Sequence, residues 1–136
     1  MSTKNNYMLL FVGSQWYNQL SDSEIKKFAE QMKTWMEDLI ARGRAQPGNP
    51  LVRAGARVTG KTGRIITDGP YPESKEAIGG FMTVQAESLE EAAAIAQSNP
   101  GIPYGLSIEI RQIADECPLY SRIRALEQQE LAAAAA

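Results

Sequence analysis

The sequence predicts an α+β fold of the ferredoxin-like βαββαβ type: an antiparallel sheet with two helices on one face, followed by a C-terminal helical tail. Three observations carry that prediction. Two segments begin with a Ser-x-x-Glu spacing and continue with apolar residues three and four apart, the pattern of a capped amphipathic helix. Short β-rich segments, several alternating apolar and polar, flank and separate them. Pro- and Gly-rich stretches punctuate the boundaries.

Taken in order, Tyr7-Met8-Leu9-Leu10-Phe11-Val12-Gly13 is a continuous apolar run of strand length, the pattern of a central strand covered on both faces. Ser21-Asp22-Ser23-Glu24 then opens the long helix, with Ser21 as N-cap and Glu24 reaching back. Ile25, Phe28, Ala29, Met32, Trp35, Met36, Leu39 and Ile40 form its apolar stripe, read as core, and Gly43 stands where a C′ residue is needed. The Pro/Gly/Asn-rich stretch 45–50 turns the chain. Residues 51–58 alternate, with Val52, Ala54, Ala56 and Val58 on one side and Arg53, Gly55 and Arg57 on the other. Gly60-Lys61-Thr62-Gly63 supplies hairpin turn residues, and 64–67 returns as a short strand. A phosphate-binding loop is excluded there, because the upstream glycine is missing and a strand, not a helix, follows.

The stretch from Asp68 to Phe81 holds three of the eleven glycines and two of the seven prolines, the composition of an ordered, shaped loop. Residues 81–86 form the next strand, with Met82, Val84 and Ala86 on one side. Ser88-Leu89-Glu90-Glu91 opens a short helix expected to bury Leu89, Ala92, Ala93 and Ala96. Residues 106–111 alternate as the last strand, and a third helix beyond Pro118 carries Leu119, Ile123 and Leu126 on one face. We therefore expect an α+β domain over residues 1–113 and a helical extension over 114–136.

Composition narrows the chemistry. At 136 residues, with 43% hydrophobic and 22% charged content, the chain suits one soluble domain. A net charge of −2 gives no general attraction to nucleic acid or to an anionic membrane. The single Cys117 excludes an intramolecular disulfide, and the absence of histidine removes Ser-His-Asp and Cys-His catalysis together with the commonest zinc ligand. No acid spacing points to a metal site, and we read no cofactor. No signal peptide and no apolar run of membrane-spanning length are read, so the expected location is cytoplasmic.

On this alternation Val52, Ala54, Val84, Ala86, Ile108 and Ile110 are expected under the helices. The opposite face would carry Tyr7, Leu9 and Phe11, with Arg53, Arg57, Phe81, Thr83, Gln85, Ser107, Glu109 and Arg111. That face is too apolar to stand in water, and a symmetric partner laying its sheet against it would cover it, so we expect a homodimer. The enclosed polar set, Arg53, Arg57, Thr83, Gln85, Glu109 and Arg111, then supplies the candidate ligand-binding residues, the arginines offering bidentate contacts to a carboxylate or phosphate. Pairing of those arginines with Glu109 or with acids of a partner subunit explains them equally well.

Asp68-Gly69-Pro70-Tyr71, Glu73, Lys75-Glu76, Gly79-Gly80-Phe81 and Ser107-Ile108-Glu109-Ile110-Arg111 resemble the DGPF-type branch of the YCII-related proteins, as does Tyr7-Met8-Leu9-Leu10 before a long helix. The resemblance spans about residues 5 to 113, with Tyr71 where the family usually has phenylalanine. It implies a dimeric α+β barrel and, for some members, a genomic link to sigma factors. The His/Asp pair of the wider superfamily has no counterpart here beyond Asp68, because the chain has no histidine.

Asp68 is the candidate acid or base, and the competing reading is a carboxylate that caps its own loop before Gly69 and Pro70. Gly69, Pro70, Gly79 and Gly80 are read as loop-shaping, the last two allowing a bulge or a close backbone approach. Three functions follow. One is a homodimeric barrel binding a small anionic or aromatic metabolite. Another is a cofactor-free isomerase or lyase using Asp68. The third is an interaction module linked to sigma-factor regulation.

Overall fold

A computed structural model describes residues 4–13, 16–52, 54–69 and 78–135. Its main sheet has the order β2-β5-β1-β6, entirely antiparallel, from β1 (Asn5–Val12), β2 (Ala45–Gln46), β5 (Ile78–Ala86) and β6 (Ser107–Gln112). This is the ferredoxin-like arrangement that the sequence predicts. The first helix, α1 (Asp22–Ala41), and the second, α2 (Leu89–Gln97), both pack on one face. Strands β3 (Gly55–Thr59) and β4 (Ile65–Gly69) form a separate two-stranded hairpin, and α3 (Pro118–Ala135) ends the chain.

Both ends of α1 form as the sequence dictates. Ser21 Oγ accepts from the Glu24 N–H at 3.2 Å, and Glu24 Oε1 accepts from the Ser21 N–H at 3.0 Å, the reciprocal capping box. At the other end Gly43 has φ +68°, where a side chain would be strained. Its N–H donates to the Ile40 carbonyl and the Arg44 N–H donates to the Leu39 carbonyl, closing a Schellman motif. The start of α2 departs from the expected box. Ser88 Oγ does accept from the Glu91 N–H, but the Glu91 carboxylate reaches past the cap to the Glu87 N–H at 3.3 Å and also pairs with Arg44.

The core lies between the helices and the sheet: Tyr7, Leu9, Met82, Val84 and Ala86 from the strands, Leu39 from α1, and Ala92 and Ala96 from α2. Three sequence expectations are corrected here. Tyr7 and Leu9, with Phe11 packed beside them, lie under the helices rather than on the open face, because the register sets Tyr7 opposite Val84 and Leu9 opposite Met82. Met8, Leu10 and Val12 take the open face instead. Leu89 is exposed, not buried. Val52 is 84% exposed and Ala54 is exposed, so neither lies under the helices.

The third correction concerns the strand expected over 51–58. The edge position beside β5 is held by 44–51, where Ala45 pairs with Val84, Pro50 bridges Gly80 and the Leu51 N–H donates to the Gly79 carbonyl. Pro47 and Pro50, lacking N–H donors, are tolerated at such an edge. By Leu51 the chain has reached the beginning of β5, which starts at Ile78. Among the described residues β5 offers no further length beyond Ile78 for residues 55–59 to pair with. They pair with 65–69 instead, and the hairpin stands apart as an arm.

Candidate functional site

Where β1 ends and β5 begins, a cleft of about 680 Å³ opens between the sheet and α1. Phe28, Met32 and Met36 of α1 form one wall, and Phe11 with Gly79 and Gly80 forms the sheet side. The edge segment 47–52 and the 3₁₀ turn Trp16–Gln19 close its ends through Pro50, Leu51, Trp16 and Tyr17. The aromatic wall is ordered by edge-to-face contacts. Trp16 meets Phe28 at 5.1 Å and Tyr17 at 5.6 Å between ring centroids, and Phe28 meets Tyr104 at 6.1 Å.

Two backbone features shape the cleft. A Cβ on Gly48 would run into the Phe81 carbonyl, so only glycine lets the edge segment lie this close to β5. The β1–β5 register shifts between Phe11 and Val12, which face Gly80 and Ile78, and so Gly79 is passed over in a bulge. Among the described lining residues none carries a formal charge at neutral pH. The site is therefore apolar, with Trp16, Tyr17, Asn49 and backbone groups as its polar elements.

The sequence-derived candidates lie elsewhere. Thr83 and Arg111 flank Met8 in one cross-strand row of the open sheet face, Glu109 sits beside Leu10 in the next, and Gln85 pairs with Asn6. The cleft is on the other side of that sheet. Arg57 is exposed on the arm, opposite Thr67, and so is not on the sheet face with Glu109 and Arg111. Asp68 and Gly69 belong to β4, paired with Ala56 and Gly55, rather than to a loop. Arg53, Pro70 and the rest of 70–77 lie outside the described residues.

What sequence reasoning missed is the cleft itself. The apolar stripe of α1 divides: Leu39, Trp35 and Met36 meet the core, while Phe28 and Met32 face the opening, with Met36 bordering both. Helical periodicity identifies an apolar face, and the same face serves a core or a cavity. The available signal was the surplus of aromatics in the loop, Trp16 and Tyr17, beyond what a strand–helix connection needs.

Comparison with known proteins agrees with this architecture. The sequence matches the model of the YCII-related domain over residues 8–117. Curated proteins give no match. Among solved structures, the chain is similar to 5-chloro-2-hydroxyhydroquinone dehydrochlorinase from Burkholderia phenoliruptrix AC1100, in complex with 2,5-dihydroxybenzoquinone. That likeness has a TM-score of 0.50 and 19% identity, and covers 82% of this chain and 95% of the other. At this identity it speaks to the fold alone. With the family match extending over most of the chain, from β1 to the foot of α3, this protein belongs to the YCII-related domain family.

Proposed function

We propose that the protein is a homodimer in which each protomer binds a small planar aromatic metabolite in the cleft beneath α1. One observation carries the reading: the cleft has the size of small-molecule sites, roughly 300–1,000 Å³, and its described walls are uncharged and ordered by edge-to-face aromatic contacts. Such walls favour a flat, largely neutral ring over a strongly anionic ligand. The dihydroxybenzoquinone bound by the structurally similar dehydrochlorinase is a molecule of that class. Dimerisation is supported by the open sheet face. Met8, Leu10 and Val12 lie there half-buried, with no helix among the described residues packed over them, and Thr83, Gln85, Glu109 and Arg111 surround them, so these polar residues serve the interface in this reading.

A second reading, a cofactor-free lyase or isomerase with Asp68 as acid or base, is favoured by the placement of the arm. Leu51 and Val52, at its root, line the cleft, and Asp68 lies on the strand that returns to that root. Asp68→Asn separates the two readings, since turnover would be lost in the second while aromatic binding persists in both.

The binding test uses the two tryptophans. Trp16 lines the cleft, whereas Trp35 is hydrogen-bonded to Ser98 Oγ at 2.8 Å, away from it. In a Trp35→Phe, Cys117→Ser background, titration with 2,5-dihydroxybenzoquinone should quench Trp16 fluorescence to saturation. Removing Cys117, which is exposed, prevents thiol addition to the quinone. Phe28→Ala should weaken binding about tenfold. Linear, unsaturable quenching unaffected by Phe28→Ala would reject the aromatic-ligand reading.

A further inference from the structure

We infer that the outer edge of β6 pairs, antiparallel and centred on Ile110, with the β6 edge of a second copy, joining two four-stranded sheets into one continuous sheet. The contact is made by backbone groups at the sheet edge. It does not depend on what covers the sheet face.

The two edges of the sheet are built differently. At one, β2 is two residues long and is followed by Pro47 and Pro50, the short, donor-poor construction of a protected edge. At the other, β6 runs for six residues without proline or lysine and keeps an unbroken register with β1. Among the described residues, β1 and α2 pack on β6, and α3, which follows it, does so no more than marginally. An open edge of that length is a template for another strand.

The hydrogen-bond pattern shows which groups that edge offers. The Ile113 N–H donates at 2.8 Å to the carbonyl of Asn6, the residue facing it when the β1–β6 register is continued by one step. Hydrogen-bonded and non-hydrogen-bonded pairs alternate along an antiparallel ladder, so Ser107, Glu109 and Arg111 also turn their backbone groups to β1. Ile108, Ile110 and Gln112 therefore turn theirs outward. A two-fold pairing centred on Ile110 sets that residue against its own copy and Ile108 against the second copy's Gln112, and every one of these is a hydrogen-bonded pair.

The side chains select that centre. It places Glu109 opposite the second copy's Arg111 and, by symmetry, Arg111 opposite the second copy's Glu109. Both are non-hydrogen-bonded pairs, where facing side chains stand closest, and both residues are exposed. A centre at Glu109 or at Arg111 would oppose like charges, and a centre at Ile108 or Gln112 makes no Glu109–Arg111 pair. Ile108 and Ile110 pack against the core on the helix side, so the joined strands continue that apolar layer. The strand Ser107-Ile108-Glu109-Ile110-Arg111-Gln112 is thus complementary to itself when reversed.

Sedimentation velocity across a dilution series tests the pairing, with far-UV circular dichroism as the folding control. A strand edge is a small interface, so association is expected at micromolar concentrations. Gln112→Pro removes an outward N–H at an exposed position and leaves the bonds to β1 in place. It should weaken edge pairing about tenfold or more, taking a tetramer to a dimer where sheet faces also associate and a dimer to a monomer where they do not. Glu109→Arg and Arg111→Glu should each weaken it about tenfold, and the double reversal Glu109→Arg/Arg111→Glu should return it to within about threefold of wild type. In a Cys117→Ser background, a mixture of Glu109→Cys and Arg111→Cys chains should cross-link on oxidation, since a mixed pair sets the two thiols opposite each other and keeps one Glu109–Arg111 pair. Either chain alone should not. A folded Gln112→Pro variant with the wild-type mass at every dilution overturns the edge pairing while leaving the homodimer standing. Cross-linking of either chain alone as strongly as the mixture, or failure of the double reversal, overturns the Ile110 centre. A wild-type chain that stays monomeric overturns the pairing and the homodimer together.

Discussion

Asn99 is the one polar residue among the described residues counted as buried, at 1% exposure. Its Oδ1 accepts from the Gly101 N–H at 2.7 Å, and its Nδ2 points to the Met32 sulfur at 3.6 Å, so it ties the turn after α2 to α1. A Cβ on Gly101 would crowd Leu106 and this same amide oxygen, which explains the pairing of Asn99 with a glycine. Asn99→Ala leaves the Gly101 N–H without its partner, and we expect a loss of about 1–3 kcal/mol in urea unfolding. The Asn99-Pro100-Gly101 stop was legible in the sequence as a helix end. That Asn99 would be buried was not, because its burial depends on Met32, 67 positions away in the chain.

At the scale of elements, α1 carries its own start signal. Ser21→Ala should cost about 1 kcal/mol in urea unfolding, as for other N-caps. Its capping partner adds a pH dependence. The Glu24 carboxyl is held below the ordinary glutamate range, first by the Ser21 backbone N–H and then by its side chain. A depressed carboxyl contributes stability that is fully present above its unfolded value and is lost as pH falls through the folded one. Urea titrations at successively lower pH should therefore show an acid-side loss that Glu24→Gln reduces. At the other end of the chain, α3 lies exposed along its length, its second turn tied to the segment before the helix by the Arg124–Glu116 ion pair. We propose that 114–136 is a separable extension. A chain ending at residue 113 should keep its far-UV spectrum and melt within a few degrees of the full chain, and gross unfolding would show that α3 belongs to the domain.

For the whole molecule, one face of the sheet is sealed by helices while the other presents Met8, Leu10 and Val12. If that second face is covered by another protomer, stability is coupled to concentration by mass action. The thermal midpoint should then rise as protein concentration is raised over two decades. A concentration-independent midpoint together with a monomeric mass would contradict the homodimer. None of the helices in the described residues is long and apolar enough to cross a membrane.

The sequence by itself determined the fold class, the capping box and Schellman end of α1, the second helix and the family. Each of these is written in local spacing: Ser21 to Glu24, Gly43 after a three-and-four stripe, Ser88 to Glu91. Only the tertiary structure decided which side of β1 is core. Tyr7, Leu9 and Phe11 are as apolar as Met8, Leu10 and Val12, and a period of two identifies two faces without saying which is covered. It also decided that residues 55–59 leave the sheet, because β5 begins at Ile78 and offers them no further edge. The cleft follows from the same fact. It forms where α1, the end of β1 and the start of β5 meet in space, a convergence of segments far apart in the chain that no local pattern encodes.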